Sequence, residues 1–189
     1  MHLIGLGYAA EDIILAGDSA GGNLALSLCR YLIRYADEKF PSELSLPRIL
    51  KSLVSSFSLL LGETLEARTT APEAGLKTKY TITYSSLRSA RSIPMGGNID
   101  NTSPWISAIS RHVDCVSFEG FPKTFIAAGG LEELKDQVVV SKETLERDIG
   151  EGNVEYYLAP LALHDFIMLS WHESERTNGF KKVSWMATL

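Results

Sequence analysis

The stretch Asp12-Ile13-Ile14-Leu15-Ala16-Gly17-Asp18-Ser19-Ala20-Gly21-Gly22-Asn23-Leu24-Ala25 decides how this 189-residue chain is read. Its first five residues, continuously apolar from Ile13 to Ala16, show the pattern of a parallel strand buried on both faces. Residues 17 to 22 then form a glycine-rich turn. Beyond it Leu24, Leu28, Tyr31, Leu32 and Tyr35 recur at helical spacing and predict an amphipathic helix. Strand, tight turn and helix in that order place Ser19 at the sharpest point of the chain.

Gly17-Asp18-Ser19-Ala20-Gly21 fits G-x-S-x-G, a turn that lifts a serine hydroxyl above a sheet edge. The glycines are expected because a Cβ at Gly17 or Gly21 would collide with the neighbouring strand or helix. Ala20, opening the helix, would offer its backbone N–H to a developing oxyanion with the helix dipole behind it. The bare pattern arises by chance in about one chain of this length in fifteen to twenty. The full string Gly17 to Gly22 arises about twice in 10⁵, so a turn with a merely capping serine is the weaker account.

Working outward, further strands are predicted at 49–57, 124–128 and 154–158, alternating with helical patterns. Leu134, Val138, Leu145 and Ile149 mark a helix over 134–149, with Gly150 and Gly152 as its stop. A last helix is expected around His172. The fold class is therefore α/β, a mainly parallel sheet flanked by helices, in one domain over 1–189. Residues 59–122, rich in Ser, Thr, Gly and Arg, read as loops and short helices between strands.

Composition excludes several classes. The formal net charge is −5 with no basic patch, so nothing recruits nucleic acid. Apolar residues at 45% and charged residues at 22% are ordinary for a globular domain. No run is long enough to span a bilayer and no secretory segment opens the chain, which leaves localisation open. Cys29 and Cys115 are expected as reduced thiols, and the four histidines show no metal-ligand spacing with them. Gly5-Leu-Gly7-Tyr-Ala-Ala10 fits a dinucleotide-binding pattern but precedes its strand instead of following one, so that reading fails.

Residues 7–25 resemble the nucleophile region of the hormone-sensitive-lipase-like esterases, the α/β-hydrolase fold-3 group. The resemblance implies the C-terminal portion of an α/β-hydrolase fold and hydrolysis of carboxylic esters of short acyl chains. In such enzymes the order is nucleophile, acid, histidine. Glu132-Glu133-Leu134-Lys135-Asp136 resembles the family's acid motif, with Glu132 where Asp is commoner, and Asp136 is the supporting or alternative acid. His164-Asp165-Phe166 resembles the histidine loop. The resemblance thus implies a Ser19–Glu132–His164 triad, an acyl-enzyme, a small-molecule ester substrate, and neither metal nor cofactor. Trp105, in Ser103-Pro104-Trp105, would line the pocket or join the core. The family's upstream His-Gly-Gly oxyanion motif is not found. This raises the expectation of a chain lacking its N-terminal part, with the nucleophile strand as an edge that pairs in a homodimer or aggregates. The alternative is an inert hydrolase-like protein or a small-molecule binder.

Overall fold

The computed structural model describes residues 2–9, 12–35, 52–57, 103–105, 116–132 and 134–187, with only the backbone at 2, 52–57 and 185–187. Four strands, β1 (Ile14–Ser19), β2 (Ser52–Phe57), β3 (Lys123–Gly129) and β4 (Val154–Ala159), form one sheet in the order β1-β2-β3-β4. Every neighbouring pair is parallel. A short helix, α1 (His2–Gly5), precedes the sheet, where no strand leads into the Gly5–Gly7 turn. Helix α2 (Ala20–Arg34) follows β1, α3 (Lys135–Ile149) follows β3, and α4 (Glu173–Ala187) ends the described chain.

β3 is the centre of the core because its side chains alternate between two apolar layers. Ile126 and Ala128 point into a layer with Leu26, Cys29, Val138 and Leu145, supplied by α2 and α3. Phe125 and Ala127 point into the opposite layer with Ala159, Ala162 and Phe166, against which Val183 of α4 packs. Both faces are covered there, as a parallel sheet requires.

β1 differs from its expected form. It begins two residues later than the predicted strand, which opens at Asp12, and is only half-buried, with Ala16 exposed. It pairs with β2 alone, so among the described strands it is an edge.

The face of α2 that is buried also differs. The inner face carries Gly22, Ala25, Leu26, Cys29 and Leu32, whereas Leu24 is 69% exposed and Leu28 and Tyr31 also face outward. The physical reason is size. Small residues let the helix lie close to the sheet, and the helix is apolar on both faces, so periodicity alone does not choose between them. α3 matches its predicted stripe, burying Leu134, Val138 and Leu145. Gly150 stops it with φ 86°, a conformation that favours glycine, whereas Gly152 lies in a following 3₁₀ turn.

Most of 59–122 lies outside the described residues, as does Cys115. Cys29 is a buried free thiol, pushed up to about 12 by burial and so inert.

Candidate active site

β1 runs through Gly17 and Asp18 and ends on Ser19, which adopts φ 53° and ψ −123°. Positive φ is uncommon outside glycine and marks strain held by its surroundings. The surroundings here are the start of α2. A Cβ on Gly17 would lie 2.1 Å from the carbonyl oxygen of Gly21 and 2.6 Å from the nitrogen of Gly22. Glycine at 17 thus lets the first turn of α2 fold back against β1. Gly21 is a correction to the expectation: a Cβ there meets nothing within 4 Å. Ala20 opens α2, so its N–H is among those left without an intrahelical acceptor.

The acid segment follows β3 and the histidine segment follows β4, so adjacent strands deliver both to one end of the sheet. Gly129 and Gly130, at the end of β3, permit their contact. A Cβ on Gly129 would lie 2.4 Å from the carbonyl oxygen of Leu163, and one on Gly130 2.2 Å from that of Pro160. Without side chains there, Gly130 N–H donates to Ala159 O at 2.7 Å and Leu131 N–H to Ala162 O at 3.0 Å. The two loops form one hydrogen-bonded seam. Phe166, fully buried against Tyr157 and the core beneath, pins the histidine loop from below.

These elements bring Ser19, His164 and Glu132 into one chain of contacts. Ser19 Oγ lies 3.2 Å from His164 Nε2, and His164 Nδ1 lies 3.3 Å from Glu132 Oε2. With the proton on Nδ1, the imidazole donates to the carboxylate and accepts from the hydroxyl. The side chains of His164 and Glu132 are 8% and 3% exposed, so little water screens them. Burial pushes the Glu132 carboxyl above its ordinary range, although the neighbouring imidazole pulls it back. For His164 burial acts downward, but the carboxylates of Asp165 and Glu132 outweigh it and hold the imidazole up at about 9.

The other sequence-predicted residues fall elsewhere. Asp136 is exposed in the first turn of α3, where the helix dipole favours an acid. Trp105 packs on the outer, C-terminal part of α2 and away from Ser19. Arg30 lies 4.9 Å and Arg34 5.8 Å from its ring centre, Tyr35 stacks on it, and its carbonyl accepts from Ser27 Oγ. Tyr31 and Tyr35 are packing residues of this cluster, whereas Tyr8 is exposed. His172 sits in a 3₁₀ turn before α4, and its Nε2 accepts from Leu163 N–H at 3.3 Å, bracing the histidine loop. Asp165, beside His164 with φ 58°, was not singled out by the sequence. Among the described residues no cluster of three or more His, Cys, Asp or Glu could hold a metal ion, and no helix is long and apolar enough to cross a membrane.

A parallel sheet whose strand ends carry a strained serine, an acid and a histidine defines an α/β hydrolase. The α/β-hydrolase-fold family matches residues 3–168, and the chain belongs to it. Among curated proteins it is similar to a triacylglycerol lipase of Mycobacterium tuberculosis, 24% identical over 163 residues, covering 86% of this chain and 28% of the lipase. Among solved structures it is similar to an esterase of Pyrobaculum calidifontis, with TM-score 0.67 and 19% identity, over 97% of this chain and 55% of the esterase. A hormone-sensitive lipase from a metagenome library matches with TM-score 0.60 and 21% identity, over 98% and 56% of the two chains. The chain thus spans about half the length of these solved relatives and less of the curated one. The resemblance to the hormone-sensitive-lipase-like esterases is borne out.

Proposed function

We propose that the chain carries the Ser–Glu–His triad of a carboxylic ester hydrolase that takes short-chain or hydrophobic esters. One observation carries the reading: a serine at positive φ, a histidine and a buried carboxylate lie in sequence at 3.2 and 3.3 Å. His164 Nε2 takes the Ser19 proton as Oγ attacks the ester carbonyl carbon. Glu132 holds the imidazole tautomer and stabilises the imidazolium that forms. The Ala20 N–H faces the oxyanion as one donor. The C–O bond of the tetrahedral intermediate then breaks, and Nε2–H protonates the departing alcohol. Water attacks the acyl-enzyme with the same imidazole as base, releasing the acid and restoring Ser19. No step requires a metal or cofactor.

The test is hydrolysis of p-nitrophenyl acetate by the 189-residue chain beside Ser19→Ala, both checked for folding by circular dichroism. Turnover abolished by the substitution is expected. Equal background rates in folded samples would overturn the proposal and leave an inert hydrolase-like protein or small-molecule binder.

A further inference from the structure

The histidine faces two carboxylates, one on each ring nitrogen. Glu132 approaches Nδ1, the side an orienting acid is expected to take. Asp165 Oδ1 lies 2.9 Å from Nε2, closer than Ser19 Oγ at 3.2 Å. The approach is close but off the line an Nε2–H bond needs, and Oδ1 is buried with no hydrogen-bond partner among the described residues. Asp165 reaches this place because its backbone is left-handed, at φ 58°, which turns its side chain back toward the preceding residue's ring. Asp is one of the few non-glycine residues that tolerate that conformation.

We infer that Asp165 is a positioning residue whose carboxylate, 2.9 Å from Nε2 of His164, favours a proton on that nitrogen by its charge and so opposes transfer of the Ser19 proton to it, braking the resting site at neutral pH. This rests on the triad reading above. The groups around the ring support it. The turn after β3 presents Glu132, the β1–α2 junction presents the Ser19 hydroxyl, and the 3₁₀ turn before α4 presents His172, occupied with Leu163 N–H. The charges acting on the ring are the two carboxylates, and no cation among the described residues opposes them. Protonated, Nε2 carries no lone pair and cannot accept the Ser19 proton. The imidazole held at about 9 would be neutral in only about one molecule in a hundred at pH 7. The sign is therefore definite: basicity toward Ser19 grows as pH rises through that value.

The experiment pairs two readouts on the full chain, wild type and Asp165→Asn, since Asn also tolerates a left-handed backbone. Asp165→Gly serves as a second variant if the first does not fold. Imidazole titration by heteronuclear NMR gives the His164 midpoint with no turnover required. It should fall by about one pH unit or more in the variant, the usual effect of removing a contacting carboxylate. The rate at which a fluorophosphonate labels Ser19 should rise about tenfold at pH 7 and converge with wild type near pH 10. An unchanged midpoint, or slower labelling at pH 7 in the folded variants, would overturn the brake. A shifted midpoint with Ser19 unlabelled in both proteins would uphold the charge effect of Asp165 on His164 and sink the nucleophile reading instead.

Discussion

Alanine at position 17 and alanine at position 21 should have opposite effects, though the two glycines are symmetric about Ser19 in the motif. At Gly17 the added Cβ would lie 2.1 Å from Gly21 O, 2.3 Å from Gly21 C and 2.6 Å from Gly22 N. All three are backbone atoms, so no side chain can swing aside. Normal carbon contacts lie at about 3.5–4.0 Å, so β1 and the first turn of α2 must separate by about 1 Å. Overpacking of this kind costs about 1–3 kcal/mol, and a rigid backbone partner places Gly17→Ala at or above about 3 kcal/mol. For a domain of this size that lowers the melting midpoint by about 6–12 °C. The same displacement carries Ser19 away from His164, and a 1 Å misplacement costs about 10²-fold in rate. At Gly21 a Cβ meets nothing within 4 Å and the backbone is helical, so Gly21→Ala should be neutral or stabilise by up to about 1 kcal/mol. Thermal melts followed by circular dichroism, with fluorophosphonate labelling of Ser19, measure both effects. If Gly21→Ala melted as low as Gly17→Ala, or Gly17→Ala melted with the wild type, the steric account of this turn would be wrong.

Two further outcomes follow from the site. Glu132→Gln should lower kcat by about 10³–10⁴, as loss of the orienting carboxylate does in other triads, while Asp136→Asn stays near wild type; steady-state rates on p-nitrophenyl acetate decide between the two acids. Because His164 is held at about 9 in the folded chain, against about 6.5 unfolded, its contribution to stability is fully present below pH 6.5 and lost as pH rises through about 9. The loss is about 3 kcal/mol, so urea midpoints should fall across that window in wild type, and a flat profile in His164→Ala would tie the loss to this residue.

Much of the scaffold was legible because its signals are local. β3, β4 and α3 appear where apolar runs and Gly150 set them, with ends shifted by a residue. The serine turn and histidine loop were legible for the same reason, each compressed into a few consecutive residues. What escaped depends on contacts between distant segments. α2 is apolar on two faces, and only the proximity of the sheet selects the one built on Gly22, Ala25 and Cys29. Trp105 joins α2 through Arg30, Arg34 and Tyr35, some seventy residues away, a pairing that no spacing announces. The need for bare backbone at Gly129 and Gly130 arises only once the β4 loop lies against them. Asp165 had no signal beyond its neighbour, since its reach to Nε2 comes from a backbone angle.

The seam between the β3 and β4 loops divides the site mechanically. Glu132 and His164 sit in the loops after adjoining strands, laced by backbone hydrogen bonds and anchored by Phe166, whereas Ser19 ends β1, an edge among the described strands and two strands away from β3. Local opening starts where packing is thinnest, so fraying should begin at β1 and spare the centre. The acid and base would then ride together as one rigid jaw, with the nucleophile on the looser one. Amide exchange should therefore find the histidine loop's seam protected longer than the strand that presents the serine.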